Sequence, residues 1–129
     1  MRYLTPSFAI GALHRGQEIE QFLGGFDRGE QHIIRWAALG RGKDRITLYL
    51  SEAVDAGTDS FLDVSEFPPL DPDDESWGKV IGTAASPGEA LALAEHHLGA
   101  SRDRWVNQGV ICSEYKDYRA ARSTNEPLM

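Results

Sequence analysis

Residues 32–67 read HIIRWAALGRGKDRITLYLSEAVDAGTDSFLDVSEF, and the alternation inside this stretch decides the fold class. In RITLYLSEAV, Ile46, Leu48 and Leu50 fall on one face and Thr47, Tyr49 and Ser51 on the other. That is the two-residue period of a half-buried strand. Upstream, Ile33, Ile34, Trp36 and Leu39 stand among few polar residues, as in a strand covered by a helix on at least one face. GRGKD between them offers two glycines for a short hairpin loop. DAGTDS reads as a second turn. FLDVSEF reads as a third strand with Leu62 and Val64 inward, stopped by Pro68 and Pro69. The expectation is a central three-stranded meander over 32–67.

Working outward, Arg15 to Leu23 predicts a helix, because Ile19, Phe22 and Leu23 fall at i, i+3 and i+4 before Gly24-Gly25. Phe8 to Leu13 fits either a short strand or a helical turn begun at Thr5-Pro6. KVIGTA predicts a further strand. Ser86-Pro87-Gly88-Glu89 is a capping signature, with a cap, a first-turn proline and a returning glutamate. It opens a helix over 87–98 that Gly99 closes. Trp105 is expected as a core anchor and VICSEY as a last strand. Together these predict an α+β two-layer sandwich: a mainly antiparallel sheet of four to five strands, with helices at about 15–23 and 87–98 on one face. Residues 1–122 form a single domain and 123–129 a polar tail.

Charge is the feature that departs from an ordinary scaffold. From Ile46 to Gly78 there are nine acids and no Lys or Arg, so this segment carries −9 of a net −7. The flanking segments contribute +2 and 0. An acidic balance excludes broad binding to nucleic acid or to anionic membrane, whose phosphates select basic surfaces. No apolar run approaches the ~20 residues that span a bilayer. The N-terminal apolar stretch is broken by Pro6, Ser7 and Gly11 and has no small-residue cleavage site, which argues against a signal peptide. One cysteine, Cys112, fits a reducing, cytoplasmic setting.

No motif names a reaction, a cofactor or a metal. In DPDDESWGKVIG the alternating Asp71, Asp73 and Glu75 resemble a calcium loop, but the glycine and terminal glutamate such a loop needs are missing. His96 and His97 are adjacent, about 100° apart on a helix, and suit its last turn rather than a metal. His14 and Glu18 would share a helical face as an acid–base pair or a surface contact. Cys112, between Ile111 and Ser113, reads as a small buried hydrophobe. Tyr115 and Tyr118 read as side chains that pack on the sheet.

The charge map therefore points to a protein-binding module for a basic protein partner, which an acidic field would steer and orient. The candidate contact residues are Glu52, Asp55, Asp59, Asp63, Glu66, Asp71, Asp73, Asp74 and Glu75, with Trp77 as an aromatic anchor. Small acidic bacterial immunity proteins and antitoxins, which neutralise cationic toxins or nucleases, share this size and charge; no motif carries the analogy. The alternative is a small ligand-binding or enzymatic domain with a pocket between sheet and helices. An exposed strand edge leaves a homodimer open.

Overall fold

A computed structural model of the chain describes residues 2–41, 44–58, 60–70 and 78–125. The first element is helix α1, Pro6–His14. Thr5 accepts a hydrogen bond from the Phe8 amide at 3.2 Å and Pro6 sits in the first turn, so capping decides a run that periodicity left open. Strands β1 (Ile19–Arg28), β2 (Gln31–Arg41), β3 (Ile46–Val54) and β4 (Lys79–Ala84) follow in sequence. Helix α2 (Pro87–Leu98), the short strand β5 (Val106–Asn107) and helix α3 (Ile111–Asn125) complete the chain. The strands form one open antiparallel sheet in the order β4-β3-β2-β1-β5. The fold is α+β, as the alternation in 46–54 requires.

Three elements differ from the sequence reading, each for a local reason. The helix expected at 15–23 is instead the start of β1. Its inward positions are Ile19 and Gln21, and the buried polar Gln21 disguises the two-residue period. Gly24, with φ +88°, does not stop a helix; it sits at a bulge where the β1–β2 register shifts. The strand expected over 61–67 is a 3-10 turn at Val64–Glu66. There Asp63 accepts from the Ser65 amide at 3.1 Å and the Ser65 hydroxyl at 2.6 Å, which offers the backbone an alternative to a ladder. The meander is thus β1 to β4, not 32–67. VICSEY begins α3, where Ile111, Tyr115 and Tyr118 recur at helical spacing, and α3 continues through Asn125.

Alternating positions feed two cores. On the first face, Ala9, Ala12 and Leu13 of α1 and Ala90, Leu91 and Ala94 of α2 pack on Ile19, Ala37, Leu39, Ile46 and Leu48. Their alanines let both helices approach the strands closely, and Trp105 is fully buried there. Burying each Leu or Ile contributes roughly 1.5–3 kcal/mol. α2 is capped as its sequence requires. Ser86 Oγ accepts from the Glu89 amide, and Glu89 reaches back to the Ala85 amide, each at 3.3 Å. Gly99 closes it with φ +69°.

The second face carries α3 and the 3-10 turn, a layer the sequence reading did not include. Ile34 and Ala53 of the sheet meet Val64, Phe67, Ile111 and Tyr115. Tyr115 is fully buried, edge-on to Phe67 at 5.2 Å and to Phe22 at 6.3 Å. Among the described residues no helix is long and apolar enough to cross a membrane.

Candidate functional site: an acid-walled groove on the second face

α3 covers only part of the second face, and beside it the sheet is open as a groove of about 430 Å³. Its floor comes from alternate positions of two paired strands, Trp36 and Ala38 of β2 with Ser51 and Ala53 of β3. Apart from Trp36 these side chains are small, so the sheet is not filled from above. One wall is the 3-10 segment, with Val64, Ser65, Phe67 and Pro69. That wall is fixed by Val54 N donating to Pro68 O at 2.8 Å and Leu70 N to Glu52 O at 3.0 Å. The opposite wall is Glu18, Glu20 and Gln108.

The two glutamates take their positions from β1. Ile19 points into the first core, so Glu18 and Glu20 both face the second side. Glu20 lies opposite Ala38 in the ladder. Glu18 Oε1 lies over Gly40, 3.3 Å from where a Cβ would stand. Each carboxylate is held by one oxygen: Gln108 Nε2 donates to Glu18 Oε2 at 2.6 Å, and the Gly109 amide to Glu20 Oε1 at 2.8 Å. Among the described side chains neither glutamate forms an ion pair, and the second oxygen of each accepts no hydrogen bond. Burial pushes the Glu18 carboxyl above the ordinary range. Burial also raises Glu20, with the Gly109 amide opposing and the charge of Glu18 adding to the rise. Two carboxylates are thus held partly desolvated beside the Trp36 floor, with no cation paired to them among the described side chains. Such a site favours an ammonium or guanidinium group, which neutralises both and can lie against the Trp36 ring.

Of the ten candidate contact residues, four are described, and three of those have partners within the fold. Glu52 pairs with Arg35 across the β2–β3 ladder at 3.6 Å. Asp55 accepts from Tyr115 Oη and from the Gly57 amide, and Arg122 stands 3.6 Å away. Asp63 caps the 3-10 turn. Glu66 is exposed in that turn. Asp59, Asp71, Asp73, Asp74, Glu75 and Trp77 lie outside the described residues. The chain on either side of 71–77 is at the groove, since Pro69 and Gly78 both line it.

The remaining candidates resolve into structural roles. α1 ends at His14, and Glu18 lies just ahead of β1, so the two do not share a helical face. Burial pushes the Cys112 thiol up, and Asp63, 3.9 Å away, adds to the rise, the reverse of what a nucleophile needs. His32 bridges Asp27 at 2.7 Å and Tyr118 at 2.5 Å, tying the β1–β2 hairpin to α3. Among the described residues no three His, Cys, Asp or Glu side chains gather as a metal centre would require.

Glu20, Trp36, Ala38 and Gln108 are groove residues that the sequence reading did not single out as site candidates. Reading 18–22 as a strand would have placed Glu18 and Glu20 together, on the face where 36–40 and 51–53 offer small side chains. Comparison with known proteins gives no match: no family model fits the chain, and no curated protein or solved structure is significantly similar.

Proposed function

We propose that the protein is a binding module for a basic protein partner, and that a cationic side chain of that partner seats in the groove between Glu18, Glu20 and Trp36. The observation that carries this reading is the pair of half-buried glutamates, each fixed by one oxygen and lacking a cation among the described side chains. Keeping two like charges close and partly desolvated costs stability, and an incoming cation removes that cost. Pro69 and Gly78, which flank the acidic run 71–75 in sequence, both line the groove. The proposed contact set thus moves from the acidic 52–75 segment alone to the groove lined by Glu18, Glu20 and Trp36. Neutralising a cationic toxin, as an immunity protein or antitoxin does, is one use of such a module.

The test is capture of a basic protein from the source lysate by tagged wild-type chain and by the Glu18→Gln/Glu20→Gln variant. The wild type should retain one stoichiometric basic partner at low salt, and the variant, folded by circular dichroism, should retain roughly tenfold less or none. Equal retention by both would overturn the reading. A second variant, Ala38→Phe, fills the groove without altering charge and should block the same partner.

A second reading follows from the groove volume of about 430 Å³, which lies in the range of small-molecule sites. A small amine or guanidine metabolite would meet the same two carboxylates. It would raise the melting temperature of the wild type and not that of the double variant.

A further inference from the structure

Beyond the groove, on the other side of Glu18, lies a second concavity of about 640 Å³. It is bounded by Leu4, Phe8 and Ala12 together with Arg15, Asn107 and Gln108. Phe8 is 66% exposed, the most exposed large apolar side chain among the described residues. An aromatic ring so placed on the first turn of α1 contributes nothing to either core. Glu18 and Gln108 line both concavities. Their 2.6 Å hydrogen bond is the low crosspiece between the two. The two concavities thus adjoin at Glu18 and Gln108, one reaching to the Trp36 floor and the other to the side of α1.

The two halves differ in chemistry. The groove half presents Glu18 and Glu20. The α1 half presents Phe8 and Leu4 among polar side chains, with the exposed guanidinium of Arg15, whose Nη2 donates to Gln17 Oε1 at 3.4 Å. A second basic side chain would be repelled at Arg15, whereas an apolar one would cover Phe8 and the exposed part of Leu4. Charge thus fixes which end of an occupant lies where.

We infer that the two concavities form one cleft for an extended segment of the partner, in which a basic side chain occupies the groove and an apolar side chain crosses the Glu18–Gln108 bridge to pack on Phe8. This rests on the proposed function for its basic half; the apolar half is additional. An extended chain advances about 3.3 Å per residue, so the two side chains belong to residues only a few positions apart.

The experiment uses acetylated and amidated glycine–serine heptapeptides that carry one arginine and one leucine, in either order and separated by zero to three residues. Controls replace the leucine by glycine or the arginine by citrulline, which is uncharged and nearly isosteric. Binding to the whole protein is measured by calorimetry. At the best spacing, removing the leucine should weaken binding about tenfold. Phe8→Ala, at an exposed position, should abolish that tenfold difference while leaving the arginine dependence intact. Citrulline should weaken binding to the wild type and make no difference to Glu18→Gln/Glu20→Gln. If leucine makes no difference at any spacing while citrulline still weakens binding, the bipartite cleft is overturned and the proposed function stands. If leucine matters and citrulline does not, the cleft is overturned together with its basic half. Absence of binding by every peptide at millimolar concentration overturns both.

Discussion

The side chain of Gln21 pairs with both backbone groups of Ser101: its Nε2 donates to Ser101 O at 2.8 Å and its Oε1 accepts from Ser101 N at 2.7 Å. Gln21 is 3% exposed, so a side-chain amide takes the place of a ladder partner where β5 has not yet begun. Gln21→Leu removes two hydrogen bonds and leaves the Ser101 amide without its partner, while Ser101 O keeps the Arg104 amide at 3.3 Å. It should cost about 2–4 kcal/mol. Urea denaturation checks this, with a lower midpoint at an unchanged m value.

Gly57 lies under the Tyr115 ring, and a Cβ there would stand 2.6 Å from Tyr115 Cζ. The ring is fully buried and its hydroxyl is bound to Asp55, so neither side can give way cheaply. Gly57→Ala should destabilise by roughly 2–3 kcal/mol. Combined with Tyr115→Phe the loss should fall short of the sum, because the shorter ring relieves part of the clash. Strict additivity in the double-mutant cycle would refute the contact.

Burial raises the Glu18 and Glu20 carboxyls, so the folded chain holds their protons more tightly than the unfolded chain does. Unfolding then releases protons above the ordinary glutamate value near 4.5, and stability falls as pH rises through the raised folded value. Glu20→Gln keeps an acceptor for Gly109 and discards the charge. Its melting temperature should exceed that of the wild type at pH 7, with the two curves converging below pH 4.5. A lower melting temperature at pH 7 would mean the fold neutralises Glu20.

Trp105 is fully buried, and its indole Nε1 takes no hydrogen-bond partner among the described residues. Trp105→Phe therefore loses volume without losing a bond. It should cost about 1–2 kcal/mol, against about 3–5 kcal/mol for Trp105→Ala. Near-equal losses in calorimetry would show that the indole N–H matters.

Wherever the local signal was strong, the fold was legible before any coordinates. The alternation of Ile46, Leu48 and Leu50 gave β3, and Ser86, Pro87 and Glu89 gave α2 to the residue. The misreading at 15–23 lies where a polar residue sits inside. Gln21 broke the apolar alternation of β1 because its partner, Ser101, is 80 residues away in the chain. The same misreading hid the groove, since only a strand puts Glu18 and Glu20 side by side. The acidic excess was conspicuous in sequence, yet Asp55 and Asp63 spend their charge on Tyr115, Arg122 and a turn amide. Charge counts alone do not separate a surface from an internal clasp.

The buried end of Glu114 is 112 residues from Arg2, which binds it at 2.7 Å, and Tyr3 Oη donates to the same carboxylate at 2.8 Å. Residues 2 and 3 are thus fastened to α3 across most of the domain. During synthesis the growing chain can assemble α1, the four long strands and α2 while the second face still lies bare, with Ile34 and Phe22 in water. Formation of α3 covers part of that face and anchors residues 2 and 3 in one step. A nascent or truncated chain ending before Glu114 would present an adhesive sheet, and is the form on which chaperones and proteases would act.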